Sequence, residues 1–461
     1  MVKQVVTTIC FVLFHCIISY WAFMSSCSIH SSTKTSIPAI AKYFGTKGRY
    51  EEVNTYLIDD ILAINNSLVK LPSSTCSEIH LTAIIRHGTR FPTTKNIIKM
   101  REFYDLVVRN ATNNSSYLSE IKSHWEMWYK DEMDGRLVDK GREDHRYLAQ
   151  RLIRWFPSLL TKDNLRKGRV ILTTSSKHRC VNSTIAFREG LMTGLRIKVA
   201  SVELDPTVND ALMRYFDQCE RFVKEVENNK SALEEVKRFN EGPEMKRVME
   251  KMADRLEVPY TSITDDSVEG AFYLCAYEFT IRKVNSPWCQ LFDEVDAQVM
   301  EYTGDLKQYW KRSYGHDINS KSSCILFHDL FHRLDQVVSQ INSDGNVLEA
   351  VTVQVGHAET LIPLLTLLDL FKDETPLKST NFATQQSRTF RSGHIVPYAA
   401  NLLVVLYKCS EGIRIGVRLN EKSLTLPGFT DPVPMYEDVK KRYRALLEGC
   451  DQETVCKMNY S

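Results

Sequence analysis

The residues of this chain that could do chemistry collect in three short stretches. The first is AIIRHGTRFPT, Ala83 to Thr93, where an apolar run stops at Arg86 and His87 and a second arginine follows at Arg90. The second, SSKHR, ends at Arg179, and the third, GHAET, supplies His357 and Glu359. Arginine's planar fork matches phosphate oxygens through charge-assisted hydrogen bonds. A neutral imidazole can attack phosphorus and form a covalent intermediate. Guanidinium groups stabilise charge on a phosphoryl group in transfer, and a carboxylic acid can protonate a leaving alkoxide. The set therefore points to phosphate ester hydrolysis with His87 as nucleophile, Glu359 as proton donor, and Arg86 and Arg90 holding the phosphate oxygens, while Arg179 and His357 are brought toward the same rim. The arginines supply the positive charge, so this chemistry requires no metal and no cofactor.

Taken singly, each residue has an ordinary reading. A histidine at a strand end is usually a satisfied core residue, and a lone arginine or glutamate is usually solvated surface charge. His178, His316, His328, His332 and His394 keep that ordinary reading. The three stretches are different because each follows a separate β-rich run. Gathered without an anion, their like charges would repel and lose hydration; an anion relieves both costs.

Four β-rich runs position the groups: Ile79 to Ile85, Arg169 to Thr174, Ala350 to Val355 and Asn401 to Tyr407. They are nearly continuous in apolar residues, as strands covered on both faces of a largely parallel sheet are. Helical spacing lies between them, in His145 to Leu160 and Leu361 to Phe371. Strand, helix and strand in alternation predict an α/β core, in which ligands sit outside the carboxyl ends of the strands. From about 200 to 345 the pattern is helical, with stripes at Met245, Val248, Met249, Met252 and Leu256 and at Phe331, Leu334, Val337 and Val338. The expected organisation is an α/β core over 29–200, a helical cap over 201–320 and a second part of the core over 321–461. The helical segment 93–130 is assigned to the core, with the cap as its alternative.

The chain has 461 residues and a formal net charge of +2, so local clusters rather than the whole molecule must attract an anionic partner. Nucleic acid is not an expected partner. Residues 1–28 read as a targeting segment: Lys3, a long apolar run, then small residues from Ser25 to Ser28. A cleaved secretory signal and an uncleaved membrane anchor both fit. The cysteines beyond it, without paired zinc-ribbon spacing, suit an oxidising compartment. Short-loop disulfides are expected for Cys450 with Cys456 and Cys275 with Cys289, and a longer one for Cys76 with Cys409. Sequons at Asn65, Asn110, Asn113, Asn114, Asn229 and Asn459 suit a glycoprotein. The sequon at Asn182 sits beside SSKHR, where crowding should exclude sugar.

At these residues the chain resembles the histidine acid phosphatases, and most closely their inositol polyphosphate branch. RHGTRFP resembles that family's nucleophile motif, and SSKHRCVNSTIAF its third-arginine segment. GRLVDKGREDHRYLAQRL, LKQYWKRSYG, GHAETLIPLL and VPYAANL are also similar, so the resemblance spans nearly the whole chain after the targeting segment. It implies a histidine phosphatase α/β core with a helical cap, a phosphohistidine at His87, binding of the transferred phosphate by Arg86, Arg90, Arg179 and His357, and Glu359 as the proton donor. Most of the family place an aspartate directly after the second histidine. Here Ala358 stands there and the acid is Glu359, an arrangement that the inositol polyphosphate branch resembles. The chain ends KMNYS, without the retrieval signal that related proteins can carry. The secretory pathway is the expected location, as an endoplasmic-reticulum lumenal or a secreted protein.

The resemblance implies a polyphosphorylated inositol as substrate, including phytate-like compounds; a bisphosphoglycerate would also fit. Lys95 and Lys177 are the candidates for holding its other phosphates, ahead of Lys311 and Arg312. Two rivals remain at this point, a general secreted acid phosphatase and a non-catalytic binding protein of the same fold.

Overall fold

Each of the four apolar runs becomes a strand of one seven-stranded sheet in a computed structural model, which describes residues 37–65, 75–198, 202–343 and 345–458. The strands are β1 (Ser77–Arg86), β2 (Val170–Thr174), β3 (Thr207–Val208), β4 (Val351–Gly356), β5 (Asn401–Cys409), β6 (Gly412–Leu419) and β7 (Lys422–Leu424), in the order β3-β2-β4-β1-β5-β6-β7. The pairings from β3 to β1 are parallel, and β5, β6 and β7 extend the sheet in antiparallel fashion. The sequence reading covered the parallel core and β5. It gave no strand for β3, which is two residues long, or for β6 and β7, where charged residues interrupt the apolar run.

The alternation of strand side chains divides the core. Leu81, Ala83 and Ile85 of β1 and Val351, Val353 and Val355 of β4 point to one face. There they meet Leu148, Leu152 and Trp155 of α1 (Asp139–Trp155) and Phe187 and Leu191 of α2 (His178–Gly194). Ile84 and β5 residues Leu402, Val404 and Leu406 point to the other face, toward α6 (Cys324–Ser343) and α7 (Ala358–Leu367). The polar residues on that second face are paired. His80 contacts the Glu349 carbonyl and Thr82 Oγ1, each at 2.8 Å, and Gln354 donates to Asp329 at 2.7 Å. Both faces are thus covered, which is why β1 and β4 read as continuous apolar runs.

The helical interval carries α3 (Pro243–Leu256), α4 (Asp265–Arg282) and α5 (Glu294–Arg312) among shorter turns. The predicted stripe of α3 is buried at Met245, Val248, Met252 and Leu256, with Met249 packed at its edge. Helix Thr94–Asn110, within the segment 93–130, packs along α4. A Cβ at Gly270 would stand 2.6 Å from the Lys99 carbonyl oxygen, so glycine permits this approach. From Pro38 onward the sheet layers and these helices form one compact unit.

Four disulfides tie the unit together: Cys76–Cys409, Cys219–Cys456, Cys275–Cys289 and Cys324–Cys450. Two of the three expected pairs are present. The pairing of Cys450 with Cys456 is not, because a short helix, Gln452–Cys456, separates them and aims each at a different element. Cys450 meets Cys324 at the start of α6, and Cys456 meets Cys219 before the turn that begins at Glu220. Among the described residues no helix is long and apolar enough to cross a membrane. The N-terminal apolar run read as a signal or anchor lies outside the described residues, as does the Asn459 sequon.

Candidate active site

The register of the parallel strands brings the three chemistry-bearing stretches together. Arg86 pairs with Gly356 across β1 and β4, and Thr174 pairs with Val355 across β2 and β4. The ladder continues one residue further, since His87 N donates to the Gly356 carbonyl at 2.9 Å and Ser175 N to Val355 at 3.2 Å. His87, Ser175 and His357 therefore leave the sheet side by side at its carboxyl rim. The His87 and His357 ring centroids lie 5.7 Å apart.

The backbone around His87 is braced by the stretch GRLVDKGRED. A Cβ on Gly88 would lie 2.2 Å from the Gly141 carbonyl oxygen, and one on Gly141 would lie 2.1 Å from that of Thr89. Only glycine at both positions allows this contact. Asp144 then accepts from Thr89 N at 2.9 Å and Thr89 Oγ1 at 2.7 Å, and Gly88 N donates to Ser183 Oγ at 3.0 Å. Lys140 is buried between Asp144 and Glu51, 2.7 Å from the latter. Burial opposes its charge, but Asp144 and then Glu51 outweigh it and raise its pKa.

His87 is set up as a base without a proton on Nε2. Its Nδ1 faces the Gly88 carbonyl at 2.9 Å, and a carbonyl only accepts, so Nδ1 carries the proton and Nε2 keeps its lone pair. Burial, then Arg179 and Arg86, hold the ring pKa well below the ordinary histidine value. The ring is thereby held neutral, the form of imidazole that can act as a nucleophile.

The three arginines are anchored but not saturated. Arg86 donates to the carbonyls of Thr46 at 2.8 Å and Val396 at 2.6 Å and lies 4.5 Å over the Tyr398 ring. Burial lowers it to about 10, where it remains charged. Arg90 donates to the Phe91 carbonyl at 2.7 Å and contacts Tyr277. Arg179 comes within 3.3 Å of His357 Nδ1. The buried Nε groups of Arg86, Arg90 and Arg179 all lack a hydrogen-bond partner, a costly arrangement unless an acceptor arrives.

His357 and Glu359 come from the start of α7. His357 N donates to Thr360 Oγ1 at 2.9 Å, closing the turn that follows β4. The His357 ring is held by Ser175 Oγ at 2.9 Å from Nε2. Burial, then Arg179, lowers it to about 3, so it too is neutral. Glu359 lines a pocket of about 450 Å³ with Arg136, Lys177, Arg179, Arg214, Glu227, Arg312 and His357. Burial would raise its carboxyl, but the Arg312 guanidinium overrides this and holds it below the usual carboxylate range.

His87, Arg86, Arg90, Arg179, His357 and Glu359 thus share one rim. Lys177 is exposed and lines the pocket; Lys95 is exposed on the first turn of helix Thr94–Asn110 and is not among the lining residues. Arg312 lines the pocket and Lys311 sits beside it, bonded to Glu227 at 2.8 Å. Sequence reasoning passed over Ser175 and Arg136, although both lay inside stretches already singled out. Arg214 and Glu227 gave no signal, being isolated charges in a helical interval.

Residues 79–421 match the model of the histidine phosphatase superfamily, branch 2. The chain is 44% identical to human multiple inositol polyphosphate phosphatase 1 over 454 residues, 94% of this chain and 93% of that one. It is 43% identical to the Gallus gallus protein of the same name, over 94% of this chain and 96% of that one. Among solved structures, the phytase from D. castellii superposes with a TM-score of 0.75 at 16% identity, covering 94% of this chain and 92% of that one. The Bifidobacterium longum multiple inositol polyphosphate phosphatase, in complex with inositol hexasulfate, gives 0.68 at 14% identity, covering 87% and 97%. At such identities these two bear on the fold alone.

Proposed function

Because the chain belongs to the histidine phosphatase superfamily, branch 2, we propose that it is a phosphomonoesterase that removes phosphates from inositol polyphosphates through a phosphohistidine. The observation that carries the catalytic assignment is the set of three buried, partnerless arginine Nε donors around a neutral imidazole. A phosphate monoester supplies the missing acceptors. His87 Nε2 attacks phosphorus in line with the ester oxygen, the P–O bond breaks, and Glu359 gives its proton to the inositol alkoxide. Arg86, Arg90 and Arg179 hold the equatorial oxygens as charge spreads over them. Water then attacks the phosphohistidine, the Glu359 carboxylate takes its proton, and phosphate leaves with His87 restored.

Glu359 must be protonated in the first step although Arg312 keeps it ionised in the free protein. A bound phosphate offsets the cations that lower its pKa, so binding itself favours loading of the acid. Lys177 stands where a second phosphate of the ring could be held, and we keep Lys95 as a more remote contact. We read the helices between 201 and 320 as a cap over the rim, the core being 29–200 and 321–461. The four disulfides fit a protein of the secretory pathway; we assign it to the endoplasmic-reticulum lumen or the secreted fraction.

The test is phosphate release from inositol hexakisphosphate by wild type and His87→Ala, with rapid-quench mass spectrometry for the adduct at His87. Turnover by the wild type, a trapped phosphohistidine and loss of both in the variant are expected. Undiminished hydrolysis by His87→Ala would sink the mechanism. Equal efficiency on aryl phosphates would favour a general acid phosphatase, and binding without turnover a non-catalytic protein.

A further inference from the structure

One side chain in the pocket has the wrong sign for a polyanion. Glu227 ends the π-helical turn Val223–Glu227 and lines the same pocket as His357 and Glu359. Its two carboxylate oxygens are divided between two cations, Lys311 Nζ at 2.8 Å and Arg312 at 2.8 Å. Two oxygens bridging an ammonium and a guanidinium is also how a phosphate would sit there.

Arg312 does not depend on Glu227 for its place. Arg312 is only 7% exposed, and its guanidinium lies 5.1 Å from the Phe222 ring centroid and 5.7 Å from that of Phe216. Aromatic faces hold a guanidinium without consuming its hydrogen-bond donors. The Glu227 side chain, by contrast, is 35% exposed and has solvent to turn into. Arg312 thus forms a fixed anion seat together with Lys311, and Glu227 covers it with a removable lid of one negative charge.

We propose that Glu227 is a built-in competitor for the substrate: it occupies Lys311 and Arg312 in the free protein and yields them to a non-reacting phosphate of the inositol ring. This rests on the inositol polyphosphate reading given above. A phosphate carries up to two charges against the carboxylate's one, so a ligand with several phosphates can displace Glu227. A substrate with a single phosphate uses it at His87 and leaves Glu227 in place. The residue therefore weakens binding of every polyphosphate while setting how far the pocket favours polyphosphates over simple esters. It also keeps the seat from holding product too tightly.

The experiment is calorimetric binding of inositol hexasulfate, which is not hydrolysed, to wild type, Glu227→Gln, Lys311→Gln and the double variant. Glu227→Gln is expected to tighten binding about tenfold, with a steeper dependence on salt. Lys311→Gln should weaken it several-fold, and in that background the gain from Glu227→Gln should shrink to roughly threefold or less, since one of the freed cations is gone. Glu227→Ser, which removes carboxylate and bulk together, must shift affinity in the same direction as Glu227→Gln. The ratio of kcat/KM for inositol hexakisphosphate to that for para-nitrophenyl phosphate should rise in Glu227→Gln. Unchanged or weaker hexasulfate binding in both Glu227 variants would overturn the proposal and leave Glu227 as a mere anchor. The two readings fail separately. Tightened hexasulfate binding without hydrolysis of hexakisphosphate would overturn the proposed activity alone, and hydrolysis with unchanged binding would overturn the competitor alone.

Discussion

Cations at the rim shift both His87 and Glu359, with opposite consequences. Burial, then Arg179 and Arg86, keep the imidazole unprotonated, which suits a nucleophile. Burial opposes the charge of Glu359, but Arg312 outweighs it and keeps the carboxyl ionised in the free protein. In forming the phosphohistidine Glu359 acts on the leaving group, so its loss in that step should matter in proportion to that group's need. Glu359→Gln should therefore slow hydrolysis of inositol hexakisphosphate by roughly 10²–10⁴-fold, because an inositol alkoxide leaves poorly without a proton. The kcat/KM for para-nitrophenyl phosphate, whose phenolate leaves unaided, should fall far less, because it extends only to phosphohistidine formation. Steady-state kinetics on the two substrates measure the difference. Rapid quench should show phosphohistidine formation slowed with the inositol ester but not with para-nitrophenyl phosphate, and its breakdown, in which Glu359 takes the proton of water, slowed with both.

At the level of elements, the site depends on two glycines belonging to different parts of the chain. Gly88 follows β1 and Gly141 lies in the first turn of α1; a Cβ on Gly88 would collide with the Gly141 backbone, and one on Gly141 with the backbone of Thr89. Gly141→Ala should cost about 1–3 kcal/mol or more through overpacking against backbone that cannot turn aside. It should also displace Thr89 and with it His87. Urea denaturation should record the loss, and activity should fall further than the folded fraction does. A second consequence concerns α2, the helix that follows β2. Asn182 lies in its second turn, with Nδ2 donating to the His178 carbonyl at 2.9 Å and Oδ1 accepting from Arg142 at 2.8 Å. Both sides of its amide are engaged. Peptide mapping of protein made in a secretory host should find Asn182 without sugar, whereas Asn110 and Asn114 stand exposed.

Across the whole molecule, histidine burial sets the pH response. His80, His87, His145 and His357 are nearly inaccessible, and burial is the first cause of the lowered pKa of each, to about 4 for His145 and about 3 for His357. Folded-state values below the unfolded one mean that the unfolded chain binds more protons at acid pH. The stability they contribute is complete above about pH 6.5, and it is lost as pH falls toward the folded values. Each histidine can add a slope of up to about 1.4 kcal/mol per pH unit in that window. Urea denaturation at pH 7, 6 and 5 should show falling stability. His145→Gln should show a shallower slope even if its stability at pH 7 is lower.

The residue types and their placement after strands were enough to read phosphate chemistry and the parallel core and to propose roles for His87 and Glu359, because strand pattern and local motif are properties of short stretches. The resemblance of those stretches narrowed the substrate to inositol polyphosphates. Cys450 shows where this kind of reading stops: its neighbour in sequence, Cys456, is carried away by a helix to a different partner. Ser175 against His357, Asp144 beneath Thr89 and Glu227 across Lys311 and Arg312 are contacts between residues distant in the chain. Nothing in the local pattern of either partner fixes such pairs. They follow from strand register and from how the helices pack beside the sheet, so only the folded chain could determine which charges meet in the pocket.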